Sequence, residues 1–194
     1  MAAAGKVTTG FSLPYVALYT ESSGTITYSS GQQLARGVDV TISPSSSEEN
    51  IFYADNVAAE SAPGEFTGGT VTLTVDGLLP AAERLIYGLP AADGDGWTWY
   101  GDSMSIPYVG IGFIIRQMSD GVESFTPMVI SKARFNLKED TAATQEDSID
   151  WQTQSLEATI FRADDSNHNW KGLGTAATTE ALALAALKPA LDIS

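Results

Sequence analysis

"YVGIGFIIRQMSDGVESFTPMVISKARFNL", Tyr108 to Leu137, decides the fold class. Its first part sets Val109, Ile111, Phe113 and Ile115 on one side of an extended chain, while Gly110 and Gly112 leave the other side thin. A period of two among β-branched and aromatic residues marks a strand. Asp120-Gly121 then supplies a pair that tolerates positive φ, a strong hairpin signal. The chain returns through 127–137. The stretch therefore predicts two antiparallel strands joined by a tight turn.

The same period recurs on either side. Val38, Val40 and Ile42 face one way, opposite Asp39 and Thr41. Over 70–75, Val71, Leu73 and Val75 alternate with threonines, as a half-buried strand requires. "IDWQTQSLEATIFRAD", 149–164, reads as a long last strand. A helix interrupts this series in "DGLLPAAERLIYG", with Pro80 near its first position and Gly88 just past its end. Leu78 or Leu79, with Leu85 and Ile86, would form its apolar stripe. A second candidate helix, 178–187, stops before Pro189 and is too short and Ala-rich to be stable alone. It either packs on its own domain or docks on a neighbouring subunit. Polar clusters at 43–50 and 139–148 read as long loops, and 54–64 reads as an acidic, Ala-rich excursion. With no internal repeat and no linker, the 194 residues are expected to form a single, mostly antiparallel β domain over 1–194.

Composition narrows the function classes. The chain is 43% hydrophobic, enough for a folded core, and has no cysteine, which excludes disulfides and thiolate metal sites. The first twenty residues carry no apolar run of the kind a secretory signal needs, and no stretch reaches membrane-helix length. Ten basic against 24 acidic residues give a net charge of −14. Such a chain does not neutralise phosphates through clustered Lys and Arg. The acidity serves either solubility alone or a surface that stays near a polyanion without sticking to it.

A search for chemistry returns little. His168 is the sole histidine, which removes HExxH motifs, and no GxSxG elbow accompanies it; a surface turn is the simpler role. Neither a P-loop nor GxGxxG occurs. Asp93, Asp95 and Asp102 resemble an oxygen-rich loop, but they lack calcium-loop order and its terminal Glu. Asp164, Asp165 and Asn167 are a similar weak case, better read as a turn. Trp97, Trp99 and Tyr100 could stack on a sugar, but their alternation fits core or interface packing better. Glu146 and Asp147 are solvated neighbours in a polar loop. No catalytic, cofactor-binding or metal residue is therefore expected, and no enzymatic activity.

The order of the pieces resembles the major tail tube proteins of long-tailed, siphovirus-type bacteriophages. "NIFYADNVAAESAPGEFTGGTVTLTVDGLLPAAERLIYG" is similar to the core segment of that family: Tyr53, Ala54 and Asp55 open a long loop, followed by a strand and a short helix ending in Gly88. A second block, 107–121 with 125–164, matches a hairpin, an acidic loop and a strand opening on Ile149, Asp150, Trp151 and Gln152. The resemblance covers about 15–170, and the tail over 171–194 departs from it.

The resemblance implies an antiparallel β-sandwich or partial barrel with one flanking short helix. It further implies a non-enzymatic virion protein, assembled in the host cytoplasm into stacked hexameric rings. Double-stranded DNA would pass through the bore without specific binding, and no membrane is involved. The tape-measure, tail terminator and distal tail proteins are the implied partners. Tyr53, Ala54, Asp55, Asn56, Glu60, Glu65, Glu139, Asp140, Glu146 and Asp147 become the candidate assembly-loop residues. Asp39 is a candidate for the lumen face. A capsid decoration protein, another phage β-sandwich structural protein and a carbohydrate-binding module are the competing readings.

Overall fold

The structure, a computed structural model, describes residues 5–144 and 151–193. Strands β1 (Val7–Ser22) and β2 (Thr25–Gln33) form a hairpin over Ser23 and Gly24, whose φ values of 53° and 77° fit a tight turn. Strands β3 (Gly37–Ser46), β4 (Asn50–Ala54), β5 (Val57–Ala62) and β6 (Phe66–Val75) follow, then helix α1 (Pro80–Tyr87). The deciding hairpin forms as predicted: β7 (Val109–Ser119) turns at Asp120 and Gly121, both at positive φ, into β8 (Val122–Phe135). Strand β9 (Gln154–Ile160), the short β10 (Lys171–Leu173) and helix α2 (Glu180–Ala190) complete the chain.

One sheet holds most of these strands in the order β2-β1-β7-β8-β9-β6-β3, and every neighbouring pair is antiparallel. The long β8 passes its outer edge from β10 at Met128–Ile130 to β9 at Ala133–Phe135. The sheet curls, so its last strand returns towards β1: the Phe11 ring lies against Gly37, and Leu34 N–H donates to Pro14 O at 2.8 Å. The fold is thus mainly antiparallel β, a curled sheet with two short helices packed on it rather than the one expected.

Two apolar clusters sit on opposite faces of β7. Val109, Ile111 and Phe113 point into the curl with Val71, Leu73, Leu156 and the buried side of α1 (Ala82, Ile86, Tyr87). Ile114 points the other way, into a cluster with Ala17, Ala183, Leu187 and Leu191. The thin side of β7 is therefore covered rather than bare. A Cβ on Gly112 would stand 2.5 Å from Leu191 Cδ1, so glycine is what lets α2 approach the sheet.

Helix α1 matches its signals. Gly88 adopts the left-handed conformation (φ 60°) and its N–H caps the Arg84 and Leu85 carbonyls. Helix α2 packs on its own domain, and Thr179 caps its N-terminus by accepting from Leu182 N–H. It also runs past the predicted stop, with Pro189 inside its last turn. A proline there removes one hydrogen bond near the helix end, while burial of Leu187, Leu191 and Ile193 holds the segment down.

Three further expectations need correction. Val38 leaves the face of Val40 and Ile42 because the register shifts between Gly37 and Asp39, and it stands 55% exposed. The strand expected over 149–164 is confined to Gln154–Ile160, where Leu156, Ala158 and Ile160 alternate inward, and β10 follows it; Trp151 precedes it, exposed, and 161–170 turns away. Ile149 and Asp150 lie outside the described residues. The cluster over 43–50 is partly strand, since β3 continues to Ser46 and β4 begins at Asn50.

Candidate assembly interface

Residues 54–64 are not an irregular loop. β4 and β5 pair into a separate two-stranded ribbon that prolongs the β3–β6 hairpin away from the sheet. Its tip is Asp55-Asn56, with φ values of 52° and 63°, the left-handed pair a tight hairpin turn requires. Its base is pinned where Ser47 N–H donates to Glu65 O and Glu65 N–H to Ser47 Oγ. Every residue of both strands is exposed. Phe52, Tyr53 and Val57 stand 62–65% accessible.

An isolated two-stranded ribbon is marginal in water, and this one buries none of its apolar side chains. Opposed residues share a face, so Phe52 lies with Glu60, Ala54 with Val57 and Tyr53 with Ala58, with a register shift between Phe52 and Tyr53. The arm carries Glu48, Glu49, Asp55, Glu60 and Glu65 and no basic residue. Of the predicted residues, Tyr53, Ala54, Asp55, Asn56 and Glu60 are brought together here. Glu65 sits at the base, bound to Arg162 at 3.0 Å.

Glu139 and Asp140 lie apart from the arm, beyond the end of β8, where Asp140 and Glu83 both pair with Lys138. The Lys138 bridge to Glu83 ties that segment to α1. Glu146 and Asp147 lie outside the described residues. Phe52 and Val57 belong with the candidates but escaped the sequence reading. The signal for them was Asp55-Asn56 between two short runs, a weaker turn pair than Asp-Gly.

The sheet offers a second kind of surface. As its terminal strands, β2 and β3 each have an outer edge that pairs with no named strand among the described residues; the isolated Gly31–Ile193 bridge lies on β2. β2, "TITYSSGQQ", has no charged residue, and β3 has Asp39 and Pro44. Neither carries the lysines with which soluble proteins blunt an edge. Asp39 is exposed on that outermost strand.

The aromatic loop is built around one carboxylate. Asp93 accepts from the Asp95 and Trp97 amides at 3.0 and 2.9 Å and from Trp99 Nε1–H at 2.7 Å. The Trp99 bond above all, then the Trp97 amide, holds its pKa below the ordinary Asp value. Trp97 and Trp99 stack on each other at 5.9 Å with 63% of each exposed, so they are not core residues. Asp164 accepts from Lys132 Nζ at 2.6 Å and from Tyr19 Oη at 2.9 Å, which lowers its pKa in that order. Asp165 accepts from the Asn169 amide, and His168 occupies the same surface turn at φ 51°. Among the described residues no group of three or more acidic, His or Cys side chains is placed to hold a metal ion. Among the described residues no helix is long and apolar enough to cross a membrane.

No family model and no curated protein matches the chain.

Proposed function

We propose that the chain is a structural subunit that polymerises with copies of itself, as a tail tube protein of a long-tailed phage. The observation that carries this reading is the β4–β5 arm, a ribbon with every residue exposed and Phe52, Tyr53 and Val57 without intramolecular cover. Two lysine-free terminal strands, whose outer edges pair with no named strand among the described residues, support it. Pairing of β2 of one copy with β3 of the next would be heterologous, and a heterologous contact closes into a ring when its rotation allows. The arm gives a second contact through which rings stack. A chain with a net charge of −14 and few basic residues would let duplex DNA travel past it without binding. On this reading the subunit has no catalytic role, assembles into hexameric rings in the host cytoplasm and meets tape-measure, terminator and distal tail proteins.

The carbohydrate-binding reading draws on exposed Trp97 and Trp99. Their mutual stacking takes up one face of each ring, which leaves no side-by-side platform for a sugar. Sedimentation of the intact chain against a variant with 48–64 replaced by Asn-Gly tests the proposal. Concentration-dependent assembly of the first and a folded, monomeric second are expected. Equal assembly by both would overturn the role given to the arm.

A further inference from the structure

The tail over 171–193 has no part in the assembly reading, yet its path leads to one of the two terminal strands. β10 lies on β8 at Met128–Ile130, and Ala177 exchanges both backbone hydrogen bonds with Phe125, at 2.8 and 2.9 Å. Helix α2 then crosses the sheet, with Ala183 and Leu187 buried in one cluster with Ala17 and Ile114. Leu191 lies against Gly110 and Gly112, and Ile193 forms a parallel bridge to Gly31 of β2. The tail is thus a strap drawn from β8 to the edge of the sheet.

That bridge falls where β2 is open. The β1–β2 register passes from Leu18–Ser29 to Val16–Gln32, so Ser30 and Gly31 stand in a bulge outside the ladder, with Ser30 at φ 56°. A bulge leaves backbone groups unpaired, and such groups need a partner. Here the tail supplies it. Glycine permits the approach, since a Cβ on Gly31 would stand 2.7 Å from Leu191 O and 2.8 Å from Asp192 O. The start of α2 is fixed elsewhere, by the Thr179 cap and by Ser12 Oγ donating to Glu180. Past Pro189, Leu191 and Ile193 are buried, while Asp192 between them is exposed at φ 50°, a conformation uncommon for a residue with a side chain.

We infer that residues 191–193 are a latch on the β2 edge that opposes assembly until it is displaced; this rests on the self-assembly reading above. The backbone groups of Gly31 can serve Ile193 or a strand of a second copy, not both. With the latch closed, a neighbouring β3 has Thr25–Ser29 to pair with; with it open, the strand is available to Gln33. The latch disfavours pairing between free copies without closing the edge outright. A closed state occupied about nine times in ten raises the apparent assembly threshold about tenfold.

Two substitutions release the latch from opposite sides. Gly31→Ala sets a methyl group against the Leu191 and Asp192 carbonyls, and Ile193→Asp puts a carboxylate at a buried position. Each, with its far-ultraviolet circular dichroism unchanged, should lower the concentration at which the chain sediments as polymer about tenfold. An unchanged or raised threshold in a chain that does assemble would overturn the latch and leave self-assembly standing. No polymer from the unaltered chain or from either variant would overturn both. Hydrogen exchange on the unaltered chain does not depend on how the variants fold. The Ile193 amide, which donates to Lys188 O at 2.9 Å, should exchange about tenfold faster in polymer than in free subunits, while the Ala183 amide is protected alike in both. Equal protection of Ile193 in the two states would contradict the inference.

Discussion

Gly112 shows how one missing side chain sets the position of a helix. A methyl group there would meet Leu191 at 2.5 Å and Leu187 at 2.8 Å, so Gly112→Val should push α2 off the sheet at a cost of about 1–3 kcal/mol. A lower urea midpoint checks this; an unchanged one would mean that α2 is not tightly seated. Tyr87 offers the opposite case. It is fully buried, its hydroxyl forms no well-formed hydrogen bond among the described residues, and burial pushes its pKa up to about 12. Since an unpaired buried hydroxyl stabilises nothing, Tyr87→Phe should melt at the same temperature or higher. Asp93 governs a local, pH-dependent arrangement. Its folded pKa is depressed, so the Trp97–Trp99 stack persists through neutral and mildly acidic pH and is lost only as pH falls through that depressed value. Near-ultraviolet circular dichroism should report the change on the acid side, and Asp93→Ala should abolish it.

At the scale of elements, what could be read in advance depended on how directly a residue type dictates backbone conformation. The β7–β8 hairpin and α1 were legible because Asp120-Gly121 and Gly88 sit where only a few residues tolerate positive φ. The arm was not, because "VAAES" has little strand propensity and no buried face to impose a period. Helix α2 ran past Pro189 because tertiary burial of Leu191 and Ile193 outweighs a local signal. The candidate site was legible only as a place: Tyr53, Ala54, Asp55, Asn56 and Glu60 were singled out, but as parts of a loop, not of a ribbon presenting Phe52 and Val57. Among the described residues the ribbon's strands pair only with each other, so its excision should leave the melting temperature of the remaining domain essentially unchanged while abolishing polymerisation. A large drop in melting temperature on excision would instead make the arm part of the fold.

For the whole molecule, the account turns on two surfaces that a lone copy leaves uncovered, the sheet edges and the arm, and on an acidic exterior. Assembled protein should retain no duplex DNA even near 50 mM salt, where electrostatic binding is strongest. Tight, salt-sensitive retention would place basic residues on the bore and contradict the passive role. The most direct measurement is negative-stain microscopy of the purified chain at high concentration, with and without seeds of native tails. The account predicts long hollow tubes of stacked six-fold rings; a dispersed single species under both conditions would contradict it.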